Sequence, residues 1–269
     1  MSVDYAIRGS AAVITLNRHE QLNAFTYPMI AALRGAVDRA QADPAVVGIV
    51  ITGAGRAFSA GLDMDALSQS AQRARDGNPG DERDADELPA LFSYLLKVGK
   101  PVIAAVNGVA AGGGFVLAMM CDLRFVSEEA SFTTVFSKRG LIAEHGTSFL
   151  LPRMIGTSRA LDLLWSSERI GAEEAYRIGF ADRLVPKGKV VDEAAAYVDK
   201  LAATVSRRSL AVIKSQVYRH LSLPLVEAAW DADKRMWQAL AHSDAKEGVA
   251  SFVERRAPRF AAWKGDENV

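Results

Sequence analysis

Two glycine-rich segments contain the residues whose types and spacing are best suited to chemistry. Residues 53–64 read GAGRAFSAGLDM, and residues 106–114 read VNGVAAGGG. Each follows a β-branched run that predicts a strand, and glycine lets the backbone approach a ligand closely. Two such turns can direct two backbone N–H groups at one oxygen. Donors fixed in advance stabilise the negative charge that develops on a carbonyl oxygen during reaction, so the sequence predicts chemistry at a polarised carbonyl.

A predicted helix follows the second turn. The apolar run FVLAMM at residues 115–120 indicates a buried helix, whose positive N-terminal end would point at the same oxygen. Taken separately, either turn could equally be no more than a connection after a strand. Neither segment has the spacing of the dinucleotide fingerprint or of the P-loop, which disfavours a nucleotide phosphate site.

The two segments together resemble a known family. Residues 57–64, AFSAGLDM, and 106–122, VNGVAAGGGFVLAMMCD, are similar to those of the enoyl-CoA hydratase/isomerase family, also called the crotonase family. Matches at residues 14–18, at Asn23 and Ala24, and at residues 247–256 extend the resemblance over nearly the whole chain. The resemblance implies that the N–H groups of Leu62 and Gly113 donate to the thioester oxygen of an acyl-CoA substrate.

The resemblance also implies an architecture. It predicts an α/β fold with a crotonase-like spiral core of repeated strand–strand–helix units and a C-terminal helical trimerisation segment. We expect the core to occupy residues 1–200 and the helical segment residues 201–269. The expected assembly is a homotrimer or a dimer of trimers.

The two glutamates that hydratases of this family use to add water across a conjugated double bond are absent. The matching positions hold Val116 and Phe136. Neither side chain can move a proton or orient a water molecule. Because function follows the site and not the fold, the two-glutamate mechanism is not expected here.

One carboxylate does lie in the right stretch of chain. Glu144, within RGLIAEHGTS at residues 139–148, resembles in position the acid/base glutamate of one branch of the enoyl-CoA isomerases. An apolar pocket would disfavour its charged form and raise its pKa towards the value that proton abstraction beside a thioester requires. The alternative is a carboxylate that accepts backbone N–H groups at a helix N-terminus. We expect Glu144 to be catalytic and the neighbouring His145 to have a supporting or structural role.

Several functions remain open on these residues. The leading hypothesis is an enoyl-CoA isomerase in which Glu144 transfers the proton. A hydratase in which Glu144 works with an unrecognised partner is second, and a catalytically silent acyl-CoA-binding scaffold is third. A dehalogenase is weaker, and a serine hydrolase is disfavoured because Ser59 and Ser148 lack a nucleophile-elbow context.

The resemblance further implies residues that bind the coenzyme A carrier. The groove for the pantetheine arm would contain Leu22, Ala24, Ala60 and Asp63. Phe252 and Arg255 of a neighbouring subunit would line the acyl tunnel and meet the phosphates, although an exposed charge is an equally good interpretation of Arg255. The histidines have no ligand-like spacing, so no metal is expected, and no cofactor is expected beyond coenzyme A as part of the substrate.

Composition excludes several classes of protein. The 269 residues include 32 Lys and Arg against 32 Asp and Glu, a formal net charge of zero that gives no global field for nucleic acid or an anionic membrane. A hydrophobic content of 49% supports a full core. The single cysteine, Cys121, cannot form an internal disulfide, which fits a reducing compartment. With no signal pattern and no apolar run near ~20 residues, we expect a cytoplasmic protein.

Hydrophobic patterning predicts where the elements lie. Strand-like runs occur at residues 12–16, 48–52, 102–106 and 123–126. Helical patterns occur at about residues 27–41, 89–97 and 113–121, and mostly helices are expected from residue 146 onward. The alternation is typical of an α/β protein with strands buried on both faces. Residues 68–88 have almost no apolar side chains and predict a surface loop, with a lid over the acyl pocket as the alternative.

Overall fold

Strands and helices alternate over the first part of the chain, and helices follow. The computed structural model describes residues 2–77 and 90–263. The strands are β1 Val3–Arg8, β2 Ala11–Leu16, β3 Gly48–Gly53, β4 Ala57–Ser59, β5 Val102–Val106, β6 Val109–Ala111, β7 Leu123–Ser127, β8 Ser131–Thr133, β9 Ile170–Gly171 and β10 Arg183–Val185. The helices are α1 Tyr27–Ala42, α2 Met64–Arg75, α3 Gly113–Met120, α4 Thr147–Ile155, α5 Thr157–Ser166, α6 Ala172–Arg177, α7 Val190–Thr204, α8 Arg207–His220, α9 Leu225–Ala241 and α10 Ser243–Val253.

The strands of the described residues form two sheets. A six-stranded sheet has the order β1-β2-β3-β5-β7-β10, parallel from β2 onward, and a four-stranded sheet has the order β4-β6-β8-β9. The successive pairs β3 with β4, β5 with β6, and β7 with β8 each contribute one strand to each sheet, and a helix follows each pair. This repeating strand–strand–helix unit confirms the predicted α/β fold.

The second sheet determines where the two glycine-rich turns lie. Strands β4 and β6 pair in parallel, with Ala57 opposite Val109 and Ser59 opposite Ala110. Because the carboxyl ends of parallel strands meet at one edge of a sheet, the turns that follow β4 and β6 emerge side by side. The fold therefore brings together two segments that are about fifty residues apart in sequence.

The larger sheet is buried between helices on both faces. Its strands β3 and β5 are almost fully buried, which explains their predominantly apolar sequence. Helix α7 covers one face through Val190, Ala194 and Val198, whereas α1 and α3 belong to the larger core cluster on the other face. This packing gives the glycine-rich turns a rigid base.

Two of the predicted elements differ from the structure. Residues 68–75 belong to α2 and are not a loop, because their alanine, glutamine and arginine side chains are good helix formers that need little burial. Residues 78–88 of the predicted loop lie outside the described residues. The predicted helix at 89–97 is reduced to a short 3-10 turn, Ser93–Lys97, since Phe92 adopts a left-handed conformation with φ 64°.

A buried polar cluster attaches α8 to the core. Lys214 Nζ donates to Asp122 Oδ2 at 2.7 Å and to the carbonyl oxygens of Leu95 and Lys100 at 2.9 and 3.2 Å. Tyr218 Oη donates to the other Asp122 oxygen at 2.9 Å. Burial lowers the pKa of Lys214, which the Asp122 carboxylate partly offsets. These contacts fix α8 against the end of α3.

Helices α9 and α10 extend the chain beyond this attachment. They expose a set of large apolar side chains, which are Leu225, Val226, Trp230, Met236, Trp237, Leu240, Val249, Phe252 and Val253. Across residues 2–77 and 90–263, no helix has the length and apolar character needed to span a bilayer.

Candidate active site

Close backbone contacts join the two glycine-rich turns. A β-carbon placed on Gly61 would lie 2.7 Å from the Ala111 carbonyl oxygen, and one placed on Gly114 would overlap the Ser59 carbonyl oxygen. Gly61 also has φ +95°, a conformation that other residues rarely adopt. Glycine at these two positions is what allows the turns to pack against each other.

The N–H groups of Leu62 and Gly113 lie next to each other at this contact. The backbone of Phe25 bonds to the residues on either side of Leu62. Its N–H donates to Gly61 O at 2.7 Å, and its carbonyl oxygen accepts from Asp63 N at 2.8 Å. Gly113 is the first residue of α3, where the N–H group has no partner within the helix. Among the residues that the structure describes, neither N–H donates to a protein acceptor. A β-carbon on Gly113 would lie 3.5 Å from Leu62 N, so the two predicted donors are brought together.

Asn23 supports the first turn, a role that the sequence analysis missed. This fully buried side chain accepts from Arg18 N at 2.9 Å and donates to the carbonyl oxygens of Ala54 and Ala57 at 2.9 and 2.8 Å. The backbone carbonyl oxygen of Asn23 accepts from Ser59 Oγ at 2.8 Å. The available signal is that asparagine tolerates the left-handed conformation it adopts here, with φ 55°. The Ser59 hydroxyl is thereby engaged in holding the turn.

The four residues predicted to line the pantetheine groove lie beside the first turn. Ala60 N donates to Leu22 O at 2.9 Å. Arg18 Nη1 donates to Ala24 O at 2.5 Å and to Asp63 Oδ2 at 3.3 Å. Phe252 and Arg255, in contrast, lie at the end of α10 with exposed side chains. Their predicted role in a neighbouring subunit stays a prediction.

Glu144 lies in the segment that precedes α4. Its side chain is 32% exposed, and burial raises the pKa of its carboxyl group above the ordinary value. Its backbone carbonyl, not its carboxylate, accepts from Thr147 N and Thr147 Oγ1, at 3.0 and 2.7 Å. The α4 N-terminus has no side-chain cap. These contacts favour an available base over the alternative of a carboxylate that caps a helix.

The imidazole of His145 lies against the Glu144 carboxylate. The left-handed backbone of His145, with φ 52°, turns its side chain so that Nε2 is 3.7 Å from Glu144 Oε2. Its Nδ1 accepts from Leu91 N at 3.3 Å, so in the neutral ring the hydrogen is on Nε2. The ring therefore presents its N–H nitrogen on the side of the carboxylate, and its supporting role stays a prediction.

The positions that match the family's two glutamates are apolar and buried. Val116 is fully buried within α3, and Phe136 is 4% exposed. Cys121 is also buried, and burial raises the pKa of its thiol to about 12, which makes a thiolate nucleophile unavailable at neutral pH. Within residues 2–77 and 90–263, no group of three or more His, Cys, Asp or Glu side chains could hold a metal ion.

The fold and the paired turns define an α/β protein whose backbone presents adjacent N–H donors suited to a carbonyl oxygen. The family model described as enoyl-CoA hydratase/isomerase matches residues 6–263. A Mycobacterium tuberculosis protein named as a probable enoyl-CoA hydratase is 35% identical over 94% of this chain and 90% of its own length. The chain belongs to the enoyl-CoA hydratase/isomerase family, a family of enzymes that act on acyl-CoA thioesters.

Two further relatives agree with this membership. The mitochondrial enoyl-CoA hydratase of Pongo abelii is 33% identical over 93% of this chain and 83% of its own length. A crystal structure described as enoyl-CoA hydratase subunit I from Geobacillus kaustophilus matches with a TM-score of 0.85 and 32% identity, over 98% of this chain and 99% of that one. The crotonase-like fold of the chain is thus shared along almost its full length.

Proposed function

We propose that this chain is an enoyl-CoA isomerase that moves a double bond through a thioester enolate. The observation that supports this most directly is the choice of side chains at the site. Val116 and Phe136 are buried and apolar where a hydratase of the family would have glutamates, whereas the partly buried Glu144 has a raised pKa. A single carboxylate is sufficient for isomerisation, which adds and removes no water.

The proposed reaction moves one proton within the substrate. The Glu144 carboxylate removes a proton from the carbon beside the thioester, and the electron pair of that C–H bond moves into the enolate. The N–H groups of Leu62 and Gly113 donate to the enolate oxygen and stabilise its charge. The protonated Glu144 then returns the proton two carbons along the chain, which shifts the double bond and restores the carboxylate. No cofactor is needed beyond the coenzyme A that the substrate contains.

A hydratase is the second candidate, because the relatives reported above are named enoyl-CoA hydratases. In that reaction Glu144 would activate water together with a second group. A silent acyl-CoA-binding scaffold is the third candidate, since both usual glutamates are missing.

Separate incubations with a 3-enoyl-CoA and a 2-enoyl-CoA distinguish these functions. An isomerase converts the 3-enoyl-CoA into the 2-enoyl-CoA and forms no 3-hydroxyacyl-CoA. Formation of 3-hydroxyacyl-CoA from the 2-enoyl-CoA would instead identify a hydratase. Binding of both thioesters without turnover would leave the scaffold as the function.

The pH dependence of kcat/KM should report the raised pKa of Glu144. Burial holds that pKa above its ordinary value of 4.5, and only the carboxylate form can abstract a proton. We therefore expect kcat/KM to rise with pH to a plateau, with the half-maximal point above pH 4.5. A pH–rate profile of the free enzyme checks this, and a half-maximal point at or below pH 4.5 would contradict it.

The raised pKa of Glu144 also makes the stability of the fold depend on pH, and this contribution falls with rising pH whereas kcat/KM rises. Because the folded state binds this proton more tightly than the unfolded state, the contribution of Glu144 to stability is full below pH 4.5 and is lost as pH rises through the folded pKa. Urea denaturation measures the free energy of unfolding. Between pH 4.5 and the folded-state pKa of Glu144, the Glu144→Gln variant should lack this pH dependence.

We also propose that residues 201–269 form a helical oligomerisation segment. Helices α9 and α10 expose many large apolar side chains, whereas a monomer usually exposes such side chains singly. Sedimentation should give three or six times the chain mass of 28.9 kDa. Trp230→Asp, at a side chain that is 72% exposed, should shift the mass towards that of one chain. If the natural chain and the Trp230→Asp variant both sediment with the mass of one chain, residues 201–269 are not an oligomerisation segment.

A further inference from the structure

The imidazole of His145 joins the segment that contains Glu144 to a second part of the fold. Its Nδ1 accepts from Leu91 N at 3.3 Å, and its Nε2 lies 3.7 Å from Glu144 Oε2. Leu91 is 54 residues away in sequence and directly precedes the left-handed Phe92. One ring therefore contacts the proposed base through one nitrogen and a distant backbone amide through the other.

The contact with Leu91 determines what the ring can do. An N–H group can bond to Nδ1 only where that nitrogen has a lone pair, so this contact requires the neutral ring with its hydrogen on Nε2. In this form Nε2 is a donor on the side of Glu144 and cannot take up a proton there. His145 is thus suited to orient the carboxylate and unsuited to replace it as the base.

Aromatic packing connects Leu91 with the two donor amides. The next residue, Phe92, is buried, and its ring centroid lies 5.1 Å from that of the buried Phe25. The backbone of Phe25 bonds to the residues on either side of Leu62, and its Cδ2 lies 3.4 Å from the position of a β-carbon on Gly113. Through these contacts the proposed base and the two donors share one buried support.

Two uncommon backbone conformations lie on either side of this connection. His145 has φ 52°, and Phe92 has φ 64°. The left-handed region is uncommon for residues other than glycine, above all for a bulky side chain such as phenylalanine. Conformations of this kind cost free energy and persist only where the surrounding contacts require them. Their presence at both ends of the His145–Leu91 contact indicates that the fold maintains this contact at a cost.

We propose that His145 is a positioning residue, which donates its Nε2–H to the Glu144 carboxylate in the substrate complex and fixes it relative to the two donor amides. The inference rests on the proposed isomerase function and adds a residue to it. The separation of 3.7 Å is longer than an N–H···O hydrogen bond of at most about 3.2 Å, but the bonds of catalytic groups commonly shorten when substrate binds. His145 keeps its hydrogen throughout, so the proton balance of the isomerisation is unchanged.

His145→Asn separates the two contacts of the ring. Asparagine tolerates the left-handed conformation, and its side-chain oxygen can replace Nδ1 as the acceptor of Leu91 N–H, but its side chain is too short to reach Glu144. In conversion of a 3-enoyl-CoA, kcat should fall about 10- to 100-fold, the contribution of a hydrogen bond to a charged group, while KM stays within about threefold. The pH at which kcat is half-maximal should rise by about one unit, because loss of a donor to the carboxylate raises its pKa.

The same substitution in the Glu144→Gln background is the matched control. A residue that acts through the carboxylate has no carboxylate to position in that background, so the double variant should have kcat within about twofold of Glu144→Gln alone. His145→Ala loses the contact with Leu91 as well. It should therefore lower the midpoint of thermal unfolding, which His145→Asn should leave unchanged.

The outcomes separate this inference from the function on which it rests. Natural kcat and an unmoved pH profile in folded His145→Asn would overturn the positioning role and leave the isomerase function standing. An equal further loss of kcat in the double variant would overturn it too, since His145 would then act independently of Glu144. If the natural chain converts no 3-enoyl-CoA, or Glu144→Gln keeps full activity, the proposed function fails and this inference with it. Circular dichroism of each variant establishes that folded proteins are compared.

Discussion

Glu144→Gln should lower kcat about 10³-fold while the affinity for acyl-CoA stays within a few fold of the natural value. The amide has almost the size of the carboxyl group but cannot accept the substrate proton. Because the backbone of Glu144, and not its carboxylate, bonds Thr147, the substitution leaves the turn before α4 intact. Turnover of a 3-enoyl-CoA, with binding measured separately by calorimetry, provides both quantities.

A matched substitution shows whether this loss is specific. Glu168 is exposed and lies outside the site, so Glu168→Gln makes the same chemical change without touching the substrate. It should keep the turnover of the natural chain and the acid limb of its pH profile. Full activity in Glu144→Gln would remove Glu144 from the mechanism.

Gly113→Ala should reduce kcat/KM by about 10²- to 10³-fold without unfolding the protein. The added β-carbon would meet Phe25 Cδ2 at 3.4 Å and Leu62 N at 3.5 Å, which are ordinary contact distances. An oxyanion must approach its donors to about 2.7–3.1 Å, so a methyl group beside Leu62 N would occupy the space that the oxygen requires. Steady-state kinetics and the midpoint of thermal unfolding together test this prediction.

Two other glycines serve as comparisons for Gly113→Ala. Gly35 lies on an exposed face of α1 with nothing within 4 Å of an added β-carbon, so Gly35→Ala should keep activity and stabilise the protein by about 1 kcal/mol. Gly114→Ala would overlap the Ser59 carbonyl oxygen and should destabilise the fold itself. Normal kcat/KM in a stable Gly113→Ala protein would show that the oxygen does not bind between these amides.

The sequence predicts best those elements that are buried, because burial requires apolar residues. Strands β3 and β5 are predominantly apolar because helices cover both faces of their sheet, and α3 is apolar on every side because it is buried. The loop prediction is wrong for residues 68–75 of α2, since an exposed helix and a loop can have the same polar composition. The left-handed Phe92, which shortens the expected helix to one 3-10 turn, has no signal in residue type.

The candidate site is predictable only in part, because some of its contacts join residues that are far apart in sequence. Leu62 and Gly113 follow parallel strands, so topology brings their turns together, and the family resemblance indicates which residues of those turns to choose. The hydrogen bonds of Asn23 span 31 and 34 residues and follow no local pattern. The orientation of His145 depends on a left-handed conformation that is uncommon for residues other than glycine.

The two amides that face the proposed oxygen belong to the main chain, and this affects which mutations the protein can tolerate. Replacement of the Leu62 side chain leaves its amide in place, whereas Gly61 and Gly114 can accept no larger residue because carbonyl oxygens lie against them. In the proposed site, the positions of the two donors therefore depend on glycines that cannot be replaced, whereas the proposed proton transfer depends on one replaceable side chain, Glu144. Substitution of Glu144 can therefore alter the proposed proton transfer while the two backbone donors stay in place.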